Sequence, residues 1–343
     1  MKKLVIYLAA IFFSQFLEAQ EMPLLSIHPI NKDLEYLNRV EISHDGTRIL
    51  SGGTIPALWD SSSGELLKTF PLITSPGIAQ SITFSNDGEF VLIGDYLCRA
   101  QLWSCNTGKN LHTFTSYSFD NHSIPISEAG SITSASFSND GKFLLTGDSN
   151  GAIQLWDMKT FNEIRRYKNL GFVQKLFFLN FLSRFIVLGS SSFEIINLYT
   201  GDTIVAMRSS NIIVSQDMMK LINYRDDSPD LLELWNLDTL TEIVQLNVKY
   251  MNLAFFPDSS KLFAYTNVDN GSHYSRLIYD LNSLNNIQSK EYTVSNVKNA
   301  PDSESINIKF FPNEDRYLTV NGNMIYIFDI KDLVSEVTNS KQY

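Results

Sequence analysis

The chain has 343 residues, 44% of them hydrophobic, which is enough to bury a sizeable core, and it carries a net charge of −10. An acidic balance of that size argues against nucleic acid as a partner, because tracking a phosphate backbone needs a basic surface.

The first twenty residues differ in kind from the rest. Lys2 and Lys3 precede an apolar run from Leu4 to Leu17, and Glu18-Ala19-Gln20 follows. A charged start, an apolar middle and a small residue before the break read as a secretory signal over residues 1–19, cleaved after Ala19. The mature protein is therefore expected to be exported, periplasmic or extracellular. The run is short for a membrane span and nothing later is longer, so no transmembrane segment is expected in the mature chain. Cys98 and Cys105 stand at the two ends of one extended run, CRAQLWSC. Extended chain of that length spans roughly 23 Å against a bridging limit of ~7 Å, so both thiols are expected to be free.

After the signal, Met22 to His28 forms a short β-like run with no repeat around it. A repeating unit then begins. In the first copy, Ser43-His44-Asp45-Gly46 makes a turn, Ile49-Leu50 lies in the next strand, and Leu58-Trp59-Asp60 closes a third. The second copy has Ser85-Asn86-Asp87-Gly88 and Leu102-Trp103. The third, SITSASFSNDGKFLLTGDSNGAIQLWD from Ser131 to Asp157, is the clearest. Its Asp140-Gly141 supplies the positive φ that a tight turn needs. Ile153 and Leu155 fall on one face of its last strand and Trp156 on the other, which requires a neighbour on both sides. The fourth copy is degenerate, with Ile196 in the Trp position. The fifth keeps Trp235 but has Asp217-Met218 in place of Asp-Gly. The sixth and seventh run through Phe256-Pro257-Asp258 to Tyr279 and through Phe311-Pro312-Asn313 to Phe328.

The markers at 59, 103, 156, 196, 235, 279 and 328 lie 39 to 53 residues apart, near the ~40–45 of four-stranded propeller blades. Another β-like run follows most of them: Leu66–Phe70, Leu111–Phe114, Ile164–Tyr167, Ile204–Met207 and Ile243–Leu246. With Trp-Asp at 59–60 and 156–157, three Ser-x-Asp-Gly turns, and Thr-Gly at 107–108 and 200–201, the sequence resembles the WD-repeat family across most of residues 24–330. The resemblance implies an all-β, seven-bladed β-propeller of four-stranded antiparallel blades over residues 22–334, with a tail at 335–343. Repeat seven has only three strands of its own, so the orphan run Leu24–His28 is expected to close the ring. The family often buries a Gly-His dipeptide against an Asp of the second turn. No repeat here has that dipeptide, and Asn150 stands near the place of the Asp, so that network is expected to be missing. Secreted lactonase-like propellers share the Asp-Gly and Thr-Gly turns.

Little catalytic chemistry is visible. His28, His44, His112, His122 and His273 have no metal-ligand spacing and read as loop or turn residues. Asp45, Asp87, Asp140, Asp217 and Asp258 recur once per repeat and read as turn residues, not calcium ligands. No phosphate loop and no Gly-x-Ser-x-Gly elbow occur, and no cofactor or metal is expected. The irregular connections carry the candidate binding residues. These are Tyr117, Phe119 and His122 in 115–130; Arg225, Asp226, Asp227 and Asp230 in 224–230; and Asp269, His273, Tyr274 and Arg276 in 267–276. The stretch 292–304 lengthens the approach to repeat seven. Repeat frameworks gather insertions on one face, and aromatic residues with Arg anchor interfaces. The expected function is a secreted, non-enzymatic scaffold for a partner protein with a basic patch. The alternatives are a lactonase-like propeller enzyme with a site at the central channel, or a structural part of an envelope or secretion assembly.

Overall fold

In the computed structural model the described residues are 23–27, 37, 39–72, 77–116, 130–167, 171–179, 183–225, 227–228, 231–247, 252–267, 273–281, 289–295, 308–312, 316–321 and 324–331. The signal reading over 1–19 and the tail at 335–343 lie outside them. The first described strand is β1, Leu25–Ile27. Blade one follows as β2 to β5 (Arg39–Ile42, Arg48–Gly52, Ala57–Asp60, Leu66–Thr69), and blade two as β6 to β9 (Ser81–Phe84, Phe90–Gly94, Arg99–Ser104, Asn110–Thr115). Blade three is β10 to β13 (Ile132–Phe137, Phe143–Asp148, Ile153–Asp157, Glu163–Tyr167), and blade four is β14 to β17 (Lys175–Leu179, Arg184–Leu188, Ser192–Asn197, Thr203–Arg208). Blade five is β18 to β21 (Asn211–Val214, Lys220–Tyr224, Leu231–Asn236, Thr241–Asn247), and blade six is β22 to β25 (Asn252–Phe255, Lys261–Asn267, His273–Asp280, Ser289–Ser295). Blade seven contains β26 to β28 (Lys309–Phe310, Arg316–Asn321, Met324–Asp329) and takes β1 as its fourth strand. The protein is thus a seven-bladed propeller of antiparallel four-stranded sheets.

Ring closure follows the expectation. Leu25, Ser26 and Ile27 pair with Ile327, Tyr326 and Ile325. The seam is a core in its own right, in which Ile27, Leu318, Ile325 and Ile327 of blade seven meet Val40, Ile49 and Trp59 of blade one. Arg316 lies over the Phe311 ring at 4.4 Å and donates to the Ser61 carbonyl of blade one.

First strands of neighbouring blades pack on one another and ring the axis, whereas outer strands such as β13 are mostly exposed. The third strands are buried on both faces. In β12, Ile153 and Leu155 join the core shared with blade four, and Trp156 joins the core shared with blade two. Alternate residues of one strand therefore hold two different neighbours. At the inner edge the blades approach so closely that a Cβ on Gly94 would lie 2.7 Å from the Ile132 carbonyl oxygen.

The repeated Asp residues do what short polar side chains do in turns. Asp45 accepts from Ser43 Oγ (2.6 Å) and Thr47 N (3.0 Å), and Asp217 accepts from Ser215 Oγ (2.5 Å) and Met219 N (3.0 Å). Met218 takes the glycine position of that turn at φ 57°, and Ser259 does the same in blade six at φ 54°. At the other turn of the same end, the residue after the marker accepts from the loop backbone: Asp157 from Lys159 N and Thr160 N, Asn197 from Tyr199 N and Thr200 N. Five blades carry a register shift at the marker itself, from Trp59 to Trp235.

Three expectations need correction. Stretch 267–276 is not one loop, because β23 runs to Asn267 and β24 starts at His273. His273, Tyr274 and Arg276 are strand residues, with Arg276 opposite Tyr265 and Tyr292. Stretch 292–304 likewise begins inside β25, the outer strand of blade six. His112 is in β9 and not a turn, half-buried, with its ring stacked on Phe161 at 4.6 Å and edge-on to Phe114. Burial there pushes its pKa down.

Candidate functional site

Antiparallel order dictates which connections share an end of the ring. In each blade the second strand ends where the third begins, on the same side as the end of the fourth strand and the start of the next blade's first. The ends of β9 at Thr115, β19 at Tyr224, β23 at Asn267 and β25 at Ser295 therefore all lie at one end, together with Arg225 and Asp227. Tyr117, Phe119, His122, Asp226, Asp230 and Asp269 are outside the described residues, and only backbone register is described for His273, Tyr274 and Arg276.

Arg225 and Asp227 are committed to each other. Nε and Nη2 of Arg225 donate to the two Asp227 oxygens at 2.8 and 2.7 Å, a bidentate pair. Nη1 reaches Oε1 of Glu233 at 3.3 Å. That carboxylate is buried, and its other oxygen accepts from Asn223 Nδ2 (2.9 Å) and Trp235 Nε1 (3.2 Å). Arg225 thus supplies the positive charge that a buried Glu233 requires. The hydrogen bonds from Arg225 hold Asp227 below the usual carboxylate range. This role for Arg225 was hidden in the sequence, since Glu233 sits two residues before a Trp within an otherwise apolar strand.

At the same end the second turn of blade three holds a buried network, contrary to the expectation drawn from the missing Gly-His. The residue is Asp148 and not Asn150. Its Oδ1 accepts from Asn150 N (3.0 Å) and Ala152 N (2.9 Å), and its Oδ2 accepts from Ser116 Oγ at 2.6 Å. Ser116 comes from the connection after β9, so it takes the place the resemblance gives to His. Cys98 Sγ donates to the Gly130 carbonyl beside it, and Trp156 Nε1 donates to Thr146 Oγ1 at 2.9 Å. Asp95 repeats the cap in blade two, accepting from Leu97 N and Arg99 N and pairing with the Arg99 guanidinium at 2.6 Å. Cys98 and Cys105, on either side of β8, are both free and buried, and burial pushes the Cys105 thiol up to about 11.

Around the axis, six of the seven first strands have a polar residue opposite the end of the second strand: Arg39, Ser81, Ser134, Lys175, Asn211 and Asn252. Most tie one blade to the next. Ser81 Oγ donates to the Ile132 carbonyl (2.9 Å), Leu176 N donates to Ser134 Oγ (2.9 Å), and Lys175 Nζ donates to Asn211 Oδ1 (2.9 Å). Lys175 is pushed down to about 8, first by desolvation and then by Lys309 and Arg39. Among the described residues the charged groups acting on it are those two, and Lys309 is itself ion-paired to Glu41. A lysine whose folded pKa lies below its unfolded value of 10.5 loses its proton first in the folded state. Stability should therefore rise between pH 8 and 10, with a slope approaching ~1.4 kcal/mol per pH unit, and Lys175→Met should flatten it. Urea midpoints across that range check this, and parallel profiles for the two proteins would refute it.

At the opposite end a cavity of about 420 Å³ opens between blades three and four, lined by Asn139, Asp140, Phe143, Phe178, Leu198 and Tyr199. Among the described residues no group of three His, Cys, Asp or Glu is placed to hold a metal ion. No described helix is long and apolar enough to cross a membrane.

Blades of this kind, tied by Asx-capped turns and Trp-hydroxyl contacts, define a seven-bladed β-propeller, and the chain is similar to WD-repeat propellers. The family described as "WD domain, G-beta repeat" matches residues 111–157, which run from the outer strand of blade two through the third strand of blade three. The chain is 19% identical over 271 residues to the Arabidopsis thaliana protein described as "Cell division cycle 20.5, cofactor of APC complex". That match takes in 65% of this chain and 60% of the relative, so less than two thirds of the relative's length is spanned. A chain in the crystal structure of the mitotic checkpoint complex superposes with a TM-score of 0.70 at 14% identity, covering 91% of this chain and 95% of its own, which is a likeness of fold. WD-repeat propellers typically serve as protein-interaction scaffolds.

Proposed function

We propose that the protein is an exported, non-enzymatic scaffold that presents one end of its propeller to a partner protein with a basic patch. The observation that carries this reading is the asymmetry of the two ends. One end is built of short turns capped by Asp45, Asp87, Asp140 and Asp157. The other receives the long connections between β9 and β10 and between β25 and β26. A rigid framework with irregular connections gathered at one end suits recognition. Support of a general kind comes from the Arabidopsis relative, which is described as a cofactor of a complex.

With Arg225 and Asp227 engaged internally, the aromatic residues Tyr117 and Tyr274 become the leading anchors, since buried rings contribute more than exposed charges. The other candidates are Phe119, His122, Asp226, Asp230, Asp269, His273 and Arg276. Tyr117→Ala or Tyr274→Ala should weaken partner binding by ~1–3 kcal/mol while leaving the melting temperature unchanged. Quantitative capture from the native envelope fraction, wild type against variant, reads this directly. A partner footprint confined to the opposite end, around Asp45, Asp87 and Asp140, would sink the reading.

A further inference from the structure

The axial end of the ring carries a charge pattern opposite to that of the whole molecule. At the outermost level of the first strands, the six described positions are Arg39, Ser81, Ser134, Lys175, Asn211 and Asn252, each with a hydrogen-bonding side chain and none acidic. Two residues further along the strands lie Glu41, Thr83, Ser136, Phe177, Ile213, Ala254 and Lys309. These two levels hold three cations and one carboxylate, in a chain whose net charge is −10. The cations come from blades one, four and seven, so the fold and not the local sequence brings them together.

Their partners are unevenly distributed. Glu41 takes Lys309 in an ion pair across the seam between blades seven and one. Lys175 is held by two neutral acceptors of blade five, Asn211 Oδ1 at 2.9 Å and the Ile212 carbonyl at 3.3 Å. Neither brings a negative charge. No described residue hydrogen-bonds or ion-pairs with the Arg39 guanidinium, which is exposed at the mouth. Two positive charges therefore face the axis without a counter-charge among the described residues, surrounded by hydroxyls and amides.

We propose that this axial mouth is a binding site for a small multivalent oxyanion, a polycarboxylate or a phosphate, held between Lys175 and Arg39 with Lys309 beyond. Independent support comes from the mutual repulsion of the three groups. Lys309 and Arg39 both act to strip the proton from Lys175, as like charges facing one channel do. An anion placed between them relieves that repulsion and supplies charge-assisted hydrogen bonds to both unmatched cations. Ser134 and Asn211, which accept in the bonds described above, each keep a donor for the ligand. The mouth lies at the end that the partner reading also uses, but the proposal stands without a partner, because it needs only the chain itself.

The test is calorimetric titration of the mature protein at pH 7 with citrate and, separately, with inorganic pyrophosphate, against sodium chloride at matched ionic strength. Saturable binding of one of the two and not of chloride is expected, and the pair of probes separates carboxylate from phosphate chemistry. Lys175→Met and Arg39→Gln should each weaken it roughly tenfold, the loss of one charge-assisted hydrogen bond. Lys142→Met, an exposed lysine at the far end, should bind as the wild type does. Circular dichroism melts of each variant confirm folding, and the Arg39→Gln change, at an exposed side chain, keeps the test open if Lys175→Met misfolds. Heats that match chloride, or variants that bind as tightly as wild type, overturn the proposal.

Discussion

A chain beginning at residue 29 should melt on the order of 10 °C below one beginning at residue 20, and it should aggregate on heating. The reason is the seam. Ile27 is 1% exposed and packs with Ile325, Ile327 and Leu318 of its own blade and with Ile49 and Trp59 of blade one. Losing such a side chain costs ~2–5 kcal/mol, a propeller of this size shifts by roughly 1.5 °C per kcal/mol, and the lost strand pairing adds to the cost of the lost side chain. Deletion also removes the ladder from Leu25 to Ile27 and the bond from Leu24 N to the Ile327 carbonyl, leaving β28 as a bare edge. Ile27→Ala should reproduce a large part of the loss. Leu24→Ala should not, because that side chain is 59% exposed. Scanning calorimetry of the three variants decides it, and a deletion variant with the intact melting temperature would mean that the ring closes without β1.

Much of this architecture is legible in the residues because each blade repeats the same physical problem. A third strand buried on both faces must be apolar on both, which is why Leu58-Trp59, Leu102-Trp103 and Leu155-Trp156 stand out against their surroundings. The marker is harder to see where its partner changes. Trp59 and Trp156 donate to Ser51 and Thr146 on the second strand. Blades four and six have Val187 and Ala264 at the equivalent places, and there the marker is Ile196, which has no donor, or Tyr279, which has no indole N–H to place on the second strand. Blade two keeps Trp103 beside Ile93, and among the described residues its indole N–H has no partner.

What stays hidden has physical causes too. Outer strand β25 reads SKEYTVS, a sequence as polar as a loop, because outer strands pack little. Strands β23 and β24, of seven and eight residues, outrun β3 and β4 of five and four. Their polar overhang over His273 to Arg276 therefore reads as a connection. Of the candidate site, the shared end of the connections follows from strand order alone. The pairing of Arg225 with Glu233 depends on the register of the β19–β20 hairpin, and the meeting of Arg39, Lys175 and Lys309 depends on closure of the ring, which no local pattern shows.

Asp148 is where a single atom pair should matter most outside the core. Asp148→Ala should destabilise the protein by ~3–4 kcal/mol, since it leaves three donors without an acceptor in a buried place. Those donors are Asn150 N, Ala152 N and Ser116 Oγ, and Asp148 itself is 3% exposed. Because Ser116 belongs to the connection leaving blade two, the loss loosens a contact between blades as well as a turn. Asp148→Asn keeps the Oδ1 acceptor for both backbone N–H groups and gives up the charge facing Ser116, so about half the loss is expected. Asp140→Ala removes a chemically similar cap at the exposed end, where water takes over the freed N–H of Lys142, and should cost less than ~1 kcal/mol. Urea unfolding of the three variants gives the comparison. Equal losses at Asp148 and Asp140 would show that the buried cap carries no more than an ordinary turn residue, and the inter-blade role assigned to Ser116 would go with it.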